Sequence, residues 1–298
     1  MLPRSGLPCF DYVRARTRGE VVSLRQEAGD EMRLLMGGTD LLVRMRDGLL
    51  SPRLVVDVKH LHGMQTIGLD GELTIGAAVP LNRVACHPAV QAQYAMLAQS
   101  AASVASYQLR NRATLGGNLC NASPAADTAP AVLLFEAGLL LIGAAGERRV
   151  PAADFFQGPG RTAMQPDEFM AAVILPRPPA GSAGRYLKLG RNRVGDLAIA
   201  GVAVLGWPDA AAVHGYRFRV GLASVAPVPL RALPAEEVLA HSAPGEPAFI
   251  AAADAAAAAA SPIDDVRASA AYRRAMVRAL TLRGLREVWA ELGRDPQG

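Results

Sequence analysis

The sequence predicts a mixed α+β (α/β) chain: an N-terminal α/β unit, a second α+β unit, and a C-terminal domain with an antiparallel sheet and helices. Three observations lead there. Strand-like and helix-like stretches alternate up to about residue 176. Two apolar runs end in paired glycines followed by polar residues, at 33–41 and at 113–127. A Pro-rich stretch, Pro176-Arg177-Pro178-Pro179-Ala180-Gly181-Ser182, then separates these units from a β meander and a helical tail. The expected boundaries are 1–57, 58–176 and 183–298.

Taken in order, Phe10-Asp11-Tyr12 leads into a short helix-like stretch. Arg33-Leu34-Leu35-Met36 reads as a strand that stops at Gly37-Gly38. Leu41 to Arg46 has helical spacing and ends near Gly48, and Leu54 to Val58 is a second buried strand. Glu72 to Ala78 reads as a strand followed by a bend, and His87 to Ala105 as a helix pair. Ala129 to Ala137 continues the second glycine motif as a helix. Gly138 to Gly143 and Phe169 to Leu175 are strands, with a hairpin exit over Arg148 to Phe156. Beyond the linker, Gly184 to Val204 and Tyr216 to Val225 form the meander. The chain after Arg231 is helical, with an Ala-rich run at 251–260 and a last helix from about Asp264 to Leu292.

Composition removes several classes. At 298 residues and 51% hydrophobic content the chain can bury real cores. The net charge of +4 is mild and its basic residues are dispersed, so nucleic-acid binding is not expected. Cys9, Cys86 and Cys120 form no CxxC pair, which speaks against a zinc or iron–sulfur site and for a reducing, cytoplasmic setting. His60 and His62 lack a third ligand nearby, so no metal is expected. The most apolar later run, Ala131 to Gly146, is interrupted by Glu136 and is too short to cross a bilayer. A P-loop, a strand-linked GxGxxG and a GxSxG elbow are all missing, which argues against a P-loop nucleotidase, a Rossmann domain and an α/β-hydrolase.

The two glycine stretches carry the chemistry. Arg33-Leu34-Leu35-Met36-Gly37-Gly38-Thr39-Asp40-Leu41 places glycines between a strand and a helix N-terminus. Free backbone N–H groups and the helix dipole there both favour an anion. Ala113-Thr114-Leu115-Gly116-Gly117-Asn118 through Ser123-Pro124-Ala125-Ala126-Asp127 follows the same plan and adds hydroxyls, amides and a carboxylate. Either stretch alone also reads as a turn that caps a helix, through Thr39 or Asp40 in the first and Ser123-Pro124 in the second. Their repetition points to a ligand with two phosphates.

These stretches resemble the FAD-binding (medium) subunit of the molybdenum hydroxylases, the family of xanthine dehydrogenase and carbon monoxide dehydrogenase. Two further segments are similar to the same family. One is Arg185-Tyr186-Leu187-Lys188 with Arg193 and Asp196-Leu197-Ala198. The other is Asp265 to Arg274, at the opening of the last helix. The resemblance covers nearly the whole chain and implies a two-part FAD-binding region followed by the C-terminal flavoprotein domain.

By that resemblance, the backbone of Met36, Gly37, Gly38, Thr39, Asp40 and Leu41 cradles the pyrophosphate. Arg33, Leu34 and Leu35 lead into it, with Arg33 near the adenine end. Thr114, Gly116, Gly117, Asn118 and Ser123 complete the phosphate and ribityl contacts. Asp127 bonds a sugar hydroxyl, and Phe169 and Met170 pack on the adenosine side. Lys188 lies near the flavin, and Tyr186 covers one of its faces. No cysteine-rich insert for an extra cluster is present. The resemblance therefore implies an electron-transfer subunit that holds FAD. Molybdopterin would sit in a large partner subunit and [2Fe–2S] clusters in a small one, in a dimer of heterotrimers. A stand-alone FAD-dependent oxidase or reductase of a related fold is the alternative.

Overall fold

The computed structural model describes residues 6–192 and 195–293. Arg193, part of one motif above, lies outside them.

The first sheet is small and parallel. Strands β1 (Asp11–Arg14), β2 (Met32–Leu35) and β3 (Leu54–Asp57) lie in the order β1-β3-β2. Parallel neighbours need crossovers. Helix α1 (Arg18–Ala28) supplies one, capped by the Thr17 hydroxyl, which accepts from the Glu20 N–H. Helix α2 (Leu41–Arg46) supplies the other. The Gly37-Gly38 turn falls between β2 and α2, as expected.

The second sheet is antiparallel. Hairpin β4 (Ile67–Asp70) with β5 (Glu72–Gly76) and hairpin β6 (Gly138–Gly143) with β7 (Gly146–Pro151) are joined through a central strand. After the two-stranded β8 (Phe156–Gly158) and β9 (Arg161–Thr162), β10 (Phe169–Leu175) returns between β5 and β6. Its sequence, Phe-Met-Ala-Ala-Val-Ile-Leu, is apolar at every position, as a strand covered on both faces requires. The edge strand β7 carries Arg148 and Arg149 instead, and Arg149 reaches Glu72 on β5. Between the hairpins run α3 (Leu81–Cys86), α4 (Pro88–Gln93), α5 (Ala95–Ser103), α6 (Tyr107–Arg110), α7 (Leu115–Cys120) and α8 (Thr128–Leu134); α9 (Ala152–Phe155) follows β7. The helix pair expected over 87–105 breaks at Tyr94, whose buried ring packs edge-on against Phe135. Residues of both N-terminal units, among them Met32, Val56, Leu73, Leu97 and Val173, share one core.

The third sheet, in the order β11 (Ala183–Leu189), β12 (Ala200–Pro208), β13 (Tyr216–Ala223) and β14 (Leu230–Arg231), is the expected meander. Within the stretch 184–204 of the expected meander, β11 ends at Leu189 and β12 begins at Ala200. Helices α10 (Leu233–His241), α11 (Glu246–Ala259) and α12 (Ala270–Leu292) follow, and α12 packs on β11 and β12. Helices α5 and α8 also pack on this sheet. Covering by both sets explains why β12 is buried from Ala200 to Trp207. The last helix begins at Ala270, not 264. Asp264 accepts from the Ala270 N–H, Asp265 accepts from the Arg267 and Ala268 N–H groups, and the Ser269 hydroxyl caps Tyr272. These local bonds draw the backbone into a turn first.

Candidate functional site

The fold brings the two glycine motifs side by side. Arg112 and Ala113 run against Gly37, where an added Cβ would stand 2.3 Å from the Arg112 carbonyl oxygen. The Thr114 hydroxyl lies 4.0 Å from the Met36 sulfur, and Asn121 Nδ2 donates to Asp40 Oδ1 at 3.3 Å. Side-chain and backbone contacts therefore hold the Met36–Asp40 loop against α7.

The motifs differ in what remains free. Among the described residues, no acceptor pairs with the backbone N–H groups of Gly37, Gly38, Thr39 or Asp40. The Asp40 side chain does not cap α2. Four adjacent free donors at the head of a helix make an anion cradle. In the second motif the N–H groups of Leu115, Gly116, Gly117 and Asn118 are already used. Gly116 donates to Ala77 O, Leu115 to Val79 O, and Gly117 to the Thr114 hydroxyl, which caps α7. Gly116 is there for close approach, since a Cβ would stand 2.5 Å from the Ala77 Cβ. The cap expected at Ser123-Pro124 does not form: Thr114 caps α7 instead, and α8 begins at Thr128 with no side-chain cap. Asn118 accepts from Thr128 through Oδ1 at 2.6 Å and keeps its amide N–H groups unpaired among the described residues. The Ser123 hydroxyl accepts from the Ala125 N–H.

A charged cluster closes the far end. Asp127 is the residue before α8, where a carboxylate would ordinarily cap the helix, yet it makes no capping bond. It turns toward β11 instead. Tyr186 donates to Oδ1 at 2.7 Å, and Lys188 Nζ donates to Oδ2 at 2.7 Å. Lys188 also donates to Ser103 O at 2.9 Å, which leaves one ammonium proton of three. Burial pushes the Asp127 carboxyl above the ordinary carboxylate range, against the opposing pull of Lys188 and Tyr186. Burial and the neighbouring carboxylate likewise push the Tyr186 hydroxyl well up, so it acts as a donor.

Several expected residues are placed otherwise. The Tyr186 ring is buried in the core with its hydroxyl on Asp127, so it presents no open face to cover a flavin. Phe169 and Met170 are fully buried at the start of β10, opposite Ile142 and Leu141, and act as core residues. Arg33 folds its guanidinium back onto the carbonyls of Asp30 and Met32. Leu34 and Leu35 are half-buried on β2. Residues missed beforehand include Arg112 and Ser103, which act through backbone carbonyls and so leave no side-chain signal. Asn121 could have been found from its place inside the second motif. A pocket of about 240 Å³ lies beside Ser123-Pro124-Ala125, between them and Leu197, Ser224, Asp265 and Arg273. Among the described residues no group of His, Cys, Asp or Glu is arranged to hold a metal.

Free amides between β2 and α2, with a buried Asp127–Lys188 pair on the same frame, suit a ligand that carries negative charge. The chain belongs to the flavoprotein family of the molybdenum hydroxylases: residues 8–178 match the FAD binding domain in molybdopterin dehydrogenase, and residues 185–288 the CO dehydrogenase flavoprotein C-terminal domain. It is similar to the carbon monoxide dehydrogenase medium chain of Hydrogenophaga pseudoflava, at 34% identity over 95% of this chain and 98% of that one. It is also similar to a putative xanthine dehydrogenase FAD-binding subunit of Escherichia coli, at 30% identity over 95% and 97%. A solved carbon monoxide dehydrogenase from Hydrogenophaga pseudoflava superposes with a TM-score of 0.91 at 35% identity, covering 96% of this chain and 99% of that one. The chain is thus an oxidoreductase subunit of molybdenum-hydroxylase type, with FAD as its cofactor.

At the head of α12, Arg273 Nη2 donates to Asp265 Oδ1 at 2.7 Å, and this latch sets an acid limit. Asp265 is held down to about 2 by the Arg267 N–H, the Arg273 guanidinium and the Ala268 N–H. A carboxyl depressed on folding adds stability above its ordinary range and loses it as pH falls through the folded value. The stability gap between wild type and Asp265→Asn is therefore expected to narrow as pH falls from the ordinary carboxylate range to about 2. Denaturant titrations across that window check this. A gap that stays constant would contradict it.

Proposed function

We propose that this chain is the FAD-carrying electron-transfer subunit of a multi-subunit molybdenum hydroxylase. It passes electrons from the [2Fe–2S] clusters of a small partner subunit to an external acceptor. A large molybdopterin-binding subunit oxidises the substrate, and two heterotrimers pair in the cytoplasm. The observation that carries the proposal is the row of unpaired N–H groups from Gly37 to Asp40, aligned by the second motif.

The residues present fit the cofactor. The Gly37–Asp40 amides would hold the pyrophosphate without a lysine-rich pocket. The Asn118 amide and the last proton of Lys188 would orient the rest. Bound FAD would supply the chemistry of exchanging electrons singly or in pairs. The chain would supply position and the buried Asp127–Lys188 pair. Its cysteines support the cytoplasmic placement: Cys9, Cys86 and Cys120 are all free thiols. No helix among the described residues is long and apolar enough to cross a membrane.

The test is titration of the purified chain with FAD, followed by co-purification with tagged partners from its own host. One FAD per chain, together with recovery of a molybdenum and an iron–sulfur subunit, is expected. A chain that takes no FAD, alone or beside those partners, would overturn the proposal. An FAD-loaded chain that oxidises a substrate with no partner would favour the stand-alone oxidase or reductase.

A further inference from the structure

The Asp265–Arg274 segment steadies the head of α12 and lies more than 130 residues from either glycine motif in sequence. Arg273, one turn into α12, is buried at 3% exposure. Its Nη1 donates to Ile199 O at 2.7 Å and to Ser224 O at 3.0 Å, and its Nη2 to Asp265 Oδ1 at 2.7 Å. Ser224 then extends the chain of bonds. Its N–H donates to Pro124 O at 2.7 Å and its hydroxyl to Ala198 O at 2.7 Å, on a backbone held at φ +67°. One guanidinium thus reaches the second glycine motif on one side and the Asp196–Ile199 loop on the other. The 240 Å³ pocket lies between these two arms.

We propose that Arg273 is a positioning residue of the cofactor site. Through Ser224 it fixes Pro124, three residues ahead of Asp127, and through Ile199 it fixes the loop that leaves the Lys188 strand. Asp265 holds the guanidinium in place. This makes the C-terminal domain part of the cofactor site, not only a cover for it. A non-Gly residue in the left-handed region at Ser224 fits the same reading, since such backbone persists where surroundings over-determine it. The bonds explain why arginine suits the place: its planar fork spreads its donors over three acceptors, where an ammonium's donors all leave one atom on a flexible stem.

The inference rests on FAD binding by this chain, and the experiment separates the two. The full chain is titrated with FAD, read by flavin fluorescence, as wild type, Arg273→Met, Arg273→Lys, Asp265→Asn and Leu285→Ala. Leu285 is buried in the same helix but takes no part in the latch. Arg273→Met is expected to raise the Kd by about 10–100-fold, the scale known for outer partners at metal sites. Arg273→Lys should recover part of the loss, and Asp265→Asn should fall between wild type and Arg273→Met. Leu285→Ala should lower the melting temperature and leave the Kd unchanged. Should Arg273→Met fail to fold, Asp265→Asn carries the test, because it leaves the buried guanidinium in place. Wild-type binding by the latch variants, or an equal loss of affinity in Leu285→Ala, overturns the inference while FAD binding stands. A wild type without affinity overturns the proposed function itself.

Discussion

Replacing Asp127 with alanine is expected to destabilise the chain by about 3–5 kcal/mol, the cost of breaking a buried ion pair from one side. Lys188 would be left 13% exposed with no counter-charge, and Tyr186 would lose the acceptor of its hydroxyl. The loss should be much smaller in Asp127→Ala with Lys188→Met, because removing both charges also removes the desolvation they share. Denaturant unfolding of the four corners of this cycle gives the coupling. Additive losses would show that the pair is not coupled. The pH dependence has a definite sign. A carboxyl raised on folding contributes stability at low pH and loses it as pH rises through the folded value. The stability of wild type relative to Asp127→Asn should therefore fall as pH climbs out of the ordinary carboxylate range. Flavin retention should fail in Asp127→Ala even where the protein still folds, since the Lys188 ammonium is then held by Ser103 O alone.

The backbone of this fold was largely legible in the sequence because its strongest signals are local. The apolar seven-residue run at Phe169–Leu175 and the Gly-Gly stop after Leu35 need no knowledge of distant partners. What escaped depends on long-range geometry. Tyr186 reads as a free aromatic on a strand, and only the packing of α8 on β12 and β13 brings Asp127, just ahead of that helix, to its hydroxyl. Phe169 and Met170 belong to the core because β10 inserts between β5 and β6, a strand order that no local pattern encodes. The start of the last helix was misplaced because Asp264 and Asp265 bond the backbone ahead of it. In the second motif the residue types were the right ones to notice. The Thr114 cap of α7 depends on distant partners too, since the carbonyls of Val79 and Ala77 take up the Leu115 and Gly116 N–H groups beside it.

Gly37→Ala separates the cradle from the scaffold most sharply. The new Cβ would lie 2.3 Å from Arg112 O and 3.0 Å from the Ala113 Cα, both backbone atoms that cannot swing aside. Overpacking of this kind costs about 1–3 kcal/mol. The loop can relieve it by lifting away from the second motif, which would misalign the Gly37–Asp40 amides. Expressed in binding, that is on the order of 5- to 150-fold weaker FAD affinity. Gly116→Ala is the matched comparison. Its Cβ would meet Ala77 Cβ at 2.5 Å and Ala77 O at 2.7 Å, a similar intrusion, but the Gly116 N–H is already bonded to Ala77. Gly116→Ala should therefore lower the melting temperature more than Gly37→Ala, and Gly37→Ala should lose more FAD affinity. Fluorescence titration and thermal melts of the two variants decide this. If Gly37→Ala binds FAD as wild type does, the free amides of that loop are not the cradle. Loss of affinity in both variants in proportion to their loss of stability would mean that the two motifs act as one packed unit.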